Sequence, residues 1–354
     1  MEEGVAVGPL PECGHGSLDP GNRLVRLGAE GCAVEAIDLG TSAHTEGPQD
    51  CKPAVRVSQE TADAQAPDGV CLEADGERDH LIGREIQVHD FVEELGRLIA
   101  GQLAREIVFQ GSDTVAAFIA EPIQGAGGVI VPPANFWPLV REVCSHHGVL
   151  LIADEVITGF YRTGPMFGTE TYGLQPDLIT LAKALSAAYQ PIGAVMMSER
   201  IYQAVVEGSR RHGVLATGFT YSGHPVPAAV ALETQRIYDA DHIGEHVRAV
   251  IPRFQKRLKA LADHPLVGEA RGVGLIGAVE LVRDKQARRN FDPALKLGAW
   301  VTARAAEHGL IARALLNDTV ALCPPLIIRD EQIDAMFDCL ERALEDARRH
   351  VAAL

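Results

Sequence analysis

The sequence predicts an α/β protein in which helices cover both faces of a largely parallel sheet, followed by a smaller α+β part. Short apolar strands alternate with segments of helical periodicity from about residue 91 onward. Apolar residues make up 47% of the 354 residues, which is enough for a sizeable core. A chain of this length typically forms two domains or one large one.

The alternation can be followed along the chain in order. Apolar spacing predicts helices over 91–107, 136–147, 226–238, 243–261, 296–308 and 330–351, and another that begins near Glu199. Buried strands are predicted over 115–120, 149–153, 177–181, 192–197 and 275–282. We therefore divide the chain into an atypical N-terminal region (1–90), the core of a large domain (91–240) and a C-terminal small domain (241–354).

The charge is concentrated at the N-terminal end. Of a net charge of −16, residues 1–90 carry 18 acidic and 6 basic side chains, and they form either a loosely folded lobe or a partly disordered arm. An acidic surface argues against nucleic acid as a partner. No stretch approaches the ~18 apolar residues of a membrane span, and the acidic start is unlike a secretory signal. We expect a cytoplasmic protein that does not enter membranes.

Three motifs are interpreted structurally. Gly272 to Gly277 spells GxGxxG, but an apolar strand follows it where a dinucleotide site needs a helix, so it predicts a glycine turn entering a strand. His146 and His147 are neighbours, whereas a metal pair on a helix needs i, i+4 spacing. The seven cysteines form no CxxC pair and are expected to be reduced thiols. No metal site is predicted.

A carboxylate and an amine follow two of the predicted strands. Asp154 ends the strand at 149–153, and Lys183 follows the strand at 177–181. Ligands of open α/β sheets bind at this edge, where a partly desolvated lysine can form a Schiff base. On spacing alone, an Asp–Lys ion pair between two strand ends is the favoured interpretation.

Five ordered motifs change that interpretation. Residues 151–164 (LIADEVITGFYRTG) and 180–194 (TLAKALSAAYQPIGA) resemble signatures of the class III aminotransferases, enzymes that use pyridoxal 5′-phosphate (PLP). Residues 120–128 (AEPIQGAGG), 218–225 (GFTYSGHP) and 323–326 (CPPL) are similar to further elements of that family. The resemblance implies the fold-type-I architecture of PLP-dependent transferases, with a mostly parallel sheet of the seven-stranded type and a smaller C-terminal domain.

The resemblance also implies roles for particular residues. Lys183 is the expected Schiff-base lysine, which also moves protons, and Asp154 is expected to pair with the pyridinium nitrogen of PLP. Val156 is expected to contact one face of the PLP ring. Thr220 is expected to reach the PLP phosphate of a neighbouring subunit, which implies a homodimer. Glu121 is expected to orient groups around Asp154.

Arg313 aligns with the mobile arginine of the ω-amino acid or amine–pyruvate branch, which binds a substrate carboxylate. A plain surface arginine on a strand is the alternative interpretation. The implied reaction is transfer of an amino group from a primary amine or ω-amino acid to a keto acid such as pyruvate. Its partners are thus a small-molecule amine donor and a keto-acid acceptor.

Two family elements are missing from residues 1–110. Neither the Asn-Ser-Gly-Ser-Glu-Ala-type turn, which cups the cofactor phosphate at a helix N-terminus, nor the aromatic-His-Gly segment that stacks on PLP is found there. The second hypothesis is therefore a catalytically impaired or non-catalytic homologue that acts as a dimer partner. A third is a PLP enzyme of the same fold that catalyses a decarboxylation or an amine shift.

Overall fold

The computed structural model describes residues 23–27, 34–38, 88–215 and 217–353, with side chains from Val92 onward. The described strands are β1 (Arg23–Leu27), β2 (Val34–Asp38), β3 (Val115–Ala120), β4 (Leu150–Asp154), β5 (Leu178–Leu181), β6 (Ala194–Met197), β7 (Val267–Val273), β8 (Ile276–Leu281), β9 (Arg313–Ala314) and β10 (Thr319–Leu322). The described α-helices are α1 (Val88–Gln110), α2 (Phe136–His147), α3 (Gly168–Thr171), α4 (Glu199–His212), α5 (Pro225–Ala240), α6 (Ile243–Ala260), α7 (Leu297–Glu307) and α8 (Asp330–Ala352).

The first sheet has the strand order β2-β1-β3-β4-β5-β6. Its four central strands, β1, β3, β4 and β5, run parallel to one another, and at the two edges β2 pairs antiparallel with β1 and β6 pairs antiparallel with β5. The prediction of a largely parallel sheet is confirmed. The resemblance implies a seven-stranded type, and the described residues contribute six strands.

Helices α1 and α2 pack together against β3 and β4 because all four elements present apolar side chains to one core. Leu103, Phe118, Trp137 and Leu151 are each at most 1% exposed there. The indole Nε1 of Trp137 donates to the carbonyl oxygen of Pro122 at 3.3 Å, so the ring is buried without an unpaired donor. The left-handed Gly148 ends α2, as glycine commonly does after a helix.

The second sheet is antiparallel, with the order β7-β8-β10-β9. Helices α6, α7 and α8 bury its apolar face around Phe254, Val301 and Phe337. This sheet and these helices lie within residues 241–354, the range of the predicted small domain, and the boundary itself stays a prediction. No range was predicted from the sequence for strands β7, β9 and β10, although a strand was the alternative setting of Arg313, which lies in β9.

The GxGxxG motif forms the turn between β7 and β8, as the structural interpretation predicted. Gly274 has a φ of +63°, and a Cβ there would lie 2.4 Å from the carbonyl oxygen of Arg162 and 2.5 Å from the Cα of Thr163. Only glycine fits this approach of the second sheet to the loop that follows β4.

Little of residues 1–90 lies within the described part of the chain. Its short apolar patch at Leu24–Leu27 falls in β1, which pairs with β3 in register Leu24 to Ala117. Cys13, Cys32, Cys51 and Cys71 lie outside the described residues, whereas Cys144, Cys323 and Cys339 are free thiols. No helix in the described ranges is long and apolar enough to span a membrane.

Candidate active site

Two strand ends form the centre of the site. β4 ends at Asp154, which is in register with Thr180 of β5, and Lys183 begins a 3-10 turn two residues after β5 ends. Asp154 and Lys183 therefore lie at the same edge of the parallel sheet, where α/β proteins bind ligands. Both residues thus lie at the ends of neighbouring strands, as the sequence pattern predicted.

The carboxylates of Asp154 and Glu155 have different partners although they are adjacent. Asp154 is half-buried, and its Oδ1 accepts a hydrogen bond from the backbone N–H of Val156 at 3.1 Å. Glu155 is fully buried and accepts from the Thr158 hydroxyl and from the backbone N–H groups of Gly168 and Thr169. Glu155 fixes the loop that follows β4, whereas Asp154 has acceptor capacity left for a ligand.

Lys183 is exposed and has a φ of +44°, in the left-handed region that side-chain-bearing residues rarely adopt. Such a backbone conformation is typical of functional sites and is kept only where surrounding contacts enforce it.

A cavity of about 930 Å³ opens beside this edge. Lys183 and Val156 line it from the first sheet, and Arg313 and Cys323 line it from the second. Most of the other wall residues are apolar, and several of them are exposed, among them Tyr189, Ile311 and Ile327. Three of the six predicted site residues thus face one cavity.

Glu121 acts on the cavity wall indirectly. It follows β3, and its Oε2 accepts a hydrogen bond from the backbone N–H of Gly125 at 2.9 Å. Gly125 lines the cavity, and a Cβ there would lie 2.3 Å from Ile157. Glu121 therefore holds a tight turn against the loop after β4. The predicted role of orienting groups around Asp154 stays a prediction.

Thr220 lies away from the cavity in an exposed loop between α4 and α5. The Ser222 hydroxyl accepts from the backbone N–H of Phe219 and shapes this loop, and Phe219 and Tyr221 are 90% and 79% exposed. An outward position is what the predicted contact with a neighbouring subunit requires.

Two arginines that the sequence analysis did not select join the two sheets around the cavity. Arg162 donates to the carbonyl oxygens of Leu275 (3.0 Å) and Pro324 (2.7 Å). Arg271, which lies in β7 of the second sheet, donates to the carbonyl oxygen of Gly128 in the loop after β3, and it also pairs with Glu280. Their carbonyl partners are distant in the sequence, and the only local signal is the position of Arg162 inside the motif at 151–164.

The donor set fits the PLP that the resemblance implies. PLP needs an amine for its aldehyde carbon, a carboxylate for its pyridine nitrogen and an apolar surface for its ring. Lys183 carries an amine, Asp154 a carboxylate and Val156 an apolar side chain, and all three follow or end the adjacent strands β4 and β5; Lys183 and Val156 line the cavity. No group of three or more His, Cys, Asp or Glu residues in the described part of the chain could hold a metal ion.

Comparisons with known proteins agree with the geometry. The family model described as Aminotransferase class-III matches residues 85–344. The putrescine–pyruvate aminotransferase of Pseudomonas aeruginosa is 47% identical over 262 residues, which cover 74% of this chain and 56% of that protein. A chloroplastic gamma aminobutyrate transaminase of Solanum lycopersicum is 44% identical over a match that covers 74% of this chain and 50% of that protein.

Solved structures agree as well. One described as a transaminase with L-ala has a TM-score of 0.71 and 48% identity, covering 76% of this chain and 63% of that one. The omega transaminase of Pseudomonas jessenii in complex with PMP has a TM-score of 0.71 and 43% identity, and the match covers 74% of this chain and 57% of that one. The fold is therefore that of fold-type-I PLP-dependent transaminases. The chain spans about half the length of the curated relatives it matches.

Proposed function

The chain belongs to the class III aminotransferases, and on that premise we propose that it transfers an amino group from a primary amine or an ω-amino acid to a keto acid such as pyruvate. The observation that carries the proposal is the shared cavity, which Lys183, Val156 and Arg313 all line. Relatives described as a putrescine–pyruvate aminotransferase and as omega transaminases support this class of donor and acceptor.

Class III aminotransferases use PLP, which when bound supplies an electron sink for the substrate carbon that loses its proton. Lys183 would hold the cofactor covalently through Nζ and, once released, take up and return a proton at that same atom. The Asp154 carboxylate would keep the pyridine nitrogen protonated, and Val156 would support one ring face. The apolar residues of the wall would give the cofactor ring and the substrate an apolar surface to contact.

Arg313 supplies the substrate contact in this proposal. It lies on the short strand β9, is exposed, and lines the cavity on the wall that belongs to the second sheet. A guanidinium binds a carboxylate with two parallel hydrogen bonds. We expect Arg313→Ala to raise the KM of an ω-amino acid donor such as β-alanine at least tenfold, while the KM of putrescine changes less than threefold.

The proposed catalytic unit is a homodimer in which Thr220 reaches the cofactor phosphate of the second subunit. The exposed position of Thr220 and the apolar side chains beside it support this arrangement. A cytoplasmic location stays a prediction, since some relatives are described as chloroplastic or mitochondrial.

A cofactor titration tests the proposed function. Adding PLP to the purified protein should produce the visible absorption band of a Lys–PLP bond, and borohydride should fix the cofactor at Lys183. Lys183→Ala should give no such band. The matched control Lys259→Ala, which removes an exposed lysine at the end of α6, should behave as the unaltered protein.

Turnover is then measured with putrescine or β-alanine as donor and pyruvate as acceptor, with alanine as the product. A protein that takes up no PLP contradicts the proposal. A protein that binds PLP at Lys183 and forms no alanine supports the non-catalytic alternative, which no finding in the described residues favours. Repeated turnover that releases carbon dioxide or a rearranged amine in the absence of pyruvate, when no keto acid accepts the amino group, would indicate the third hypothesis.

A further inference from the structure

The turn that carries Lys183 has strained backbone at both of its ends. Lys183, Ala187 and Ala188 have φ values of +44°, +48° and +65°. Each carries a Cβ that crowds the neighbouring backbone in this left-handed conformation. Within the turn, the backbone N–H of Leu185 donates to Ala182 at 2.9 Å and that of Ser186 donates to Lys183 at 3.2 Å. Two further bonds run from the backbone N–H of Tyr189 to the carbonyl oxygen of Ser186 at 3.0 Å and from the Ser186 hydroxyl to the carbonyl oxygen of Gln190 at 2.6 Å, and none of these four bonds uses the carbonyl oxygen of Ala184 or Leu185.

Helix α5 holds the turn from outside. The hydroxyl of Tyr238 donates to the carbonyl oxygen of Ala184 at 2.8 Å. The side-chain Nε2 of Gln235 donates to the carbonyl oxygen of Leu185 at 3.2 Å. Residues 235 and 238 are three apart, so they lie on one face of the helix. The two carbonyls that follow Lys183 are therefore both bound by one rigid element.

Tyr238 also contacts a second left-handed segment. Its ring centroid lies 6.3 Å from those of Phe160 and Tyr161, whose φ values are +59° and +69°. These two residues belong to the loop that follows Asp154 and Val156. One tyrosine thus touches both of the strained segments from which the site residues project.

The Tyr238 hydroxyl keeps the proton that it needs in order to donate its hydrogen bond. Burial raises the pKa of Tyr238, and the nearby charge of Arg162 only partly opposes this shift. The phenol therefore stays protonated at neutral and moderately alkaline pH. Tyr238 also lines the cavity. A substitution of Tyr238 therefore alters the cavity wall, but it does not remove a group that is proposed to hold the cofactor.

We propose that Tyr238 is a positioning residue: its hydrogen bond to Ala184, supported by Gln235, holds the Lys183 turn in its left-handed conformation and so aims the amine into the cavity. The inference rests on the proposed function for its catalytic consequence. Its structural part, the restraint of the turn by α5, is measurable without the cofactor.

The decisive variant is Tyr238→Phe, which keeps the ring and removes only the hydroxyl. Its matched control is Tyr172→Phe, because the buried hydroxyl of Tyr172 has no hydrogen-bond partner among the residues that the structure describes. In the protein without PLP, amide hydrogen exchange at Leu185 and Ser186 should be at least tenfold faster in Tyr238→Phe. The same amides should exchange within twofold of the unaltered protein in Tyr172→Phe.

With PLP added, Tyr238→Phe should attach the cofactor at least tenfold more slowly and lower kcat about tenfold, with KM for the donor unchanged within twofold. A residue with a merely stabilising role would leave the attachment rate unchanged. Gln235→Met, which removes the second bond, should move exchange and attachment in the same direction by a smaller factor. It keeps the test valid if Tyr238→Phe does not fold.

The outcomes separate the two proposals. Unchanged amide exchange in both Tyr238→Phe and Gln235→Met overturns the positioning role, whatever the cofactor does. Accelerated exchange with unchanged attachment and kcat also overturns it. If the unaltered protein takes up no PLP while exchange responds to both variants, the proposed function fails and the restraint of the turn by α5 stands.

Discussion

The sheet core around β3 and β4 and the stretch from Ala187 to Val230 differ in how they use their apolar residues. In the first region, Phe118, Trp137 and Leu151 are fully buried. In the second, no described residue is buried, although β6 and α4 carry apolar side chains. Val195 and Met196 of β6 are 57% and 49% exposed.

The difference shows that local pattern and burial are separate properties. Helix α4 is amphipathic and forms where the sequence predicts a helix, yet none of its residues is fully buried in the described part of the chain: Ile201, Val205 and Val206 are half-buried, and Tyr202 is 50% exposed. Exposed apolar residues that lie together commonly mark an interaction site. In the proposed homodimer, the core region supplies stability and the exposed stretch supplies association.

Removing a core side chain should have the largest effect on stability. Trp137→Ala is expected to lower the free energy of unfolding by about 3–5 kcal/mol, because it leaves a cavity that the close-packed core cannot fill. Phe219→Ala, at a 90% exposed position, should change it by less than about 0.5 kcal/mol. Chemical denaturation measures both. Similar losses in the two variants would mean that the exposed stretch is packed in solution.

The next largest loss of stability is expected at Asp177, whose contacts join the two regions. Its carboxylate accepts from Arg141 of α2, from Arg200 of α4 and from the backbone N–H of Leu151. Asp177→Asn weakens these charge-assisted bonds and should lower the free energy of unfolding by about 2–3 kcal/mol at pH 7. The control Asp239→Asn, on the exposed face of α5, should stay within about 0.5 kcal/mol.

The Asp177 contribution should also depend on pH. Burial by itself raises the pKa of Asp177, but the bonds from Leu151, Arg141 and Arg200 outweigh it, so the pKa lies below its ordinary 3.8. The native state thus binds this proton less readily than the unfolded state does. The stabilisation is complete above about pH 4–5 and is lost as the pH falls through the folded pKa. The measurement is the difference in free energy of unfolding between the unaltered protein and Asp177→Asn. A difference that stays constant from pH 6 to pH 2 would contradict this prediction.

A smaller effect is expected on association. Tyr221→Ala, in the exposed loop, should weaken self-association about tenfold, or about 1.4 kcal/mol, because exposed aromatic residues dominate protein interfaces. Phe109→Ala removes an 83% exposed ring at the end of α1, outside the exposed stretch, and should leave the dissociation constant unchanged. Sedimentation equilibrium measures both. A chain that is monomeric at all concentrations would remove the proposed dimer.

The smallest effect is expected from a surface ion pair beside the packed core. Arg97 pairs with Glu93 and Glu94 across one turn of α1, and its side chain is 58% exposed. Solvent and salt screen such pairs, so Arg97→Ala should lower the free energy of unfolding by less than about 0.5 kcal/mol. A thermal melt that shifts by more than a few degrees would show that α1 depends on this pair.

How much the sequence could predict varies with the range of the interactions. Helix α2 and strand β3 have the predicted bounds because their apolar spacing and the glycine at 148 are local signals. Strand β7 (VGEARGV) lacks an apolar pattern and exists because it pairs with β8, from Val267–Leu281 to Val273–Ile276. No local signal distinguishes such a strand from a loop.

The same limit applies to the site. Lys183, Val156 and Arg313 could be predicted because each lies in a motif or a segment that resembles known aminotransferases. Arg162 and Tyr238 could not, since their partners are backbone carbonyls of Leu275, Pro324 and Ala184. A carbonyl oxygen is present at every residue, so its use as an acceptor leaves no trace in the sequence.

The pairing of β1 with β3 has a consequence for synthesis on the ribosome. Leu24 and its partner Ala117 are separated by roughly 90 residues, which a ribosome adds in about 5–20 s. Of the described strands, β1 and β2 are translated first, and they have no neighbour in the sheet until β3 has been added. Strands β4 and β5 then extend the sheet from its other side.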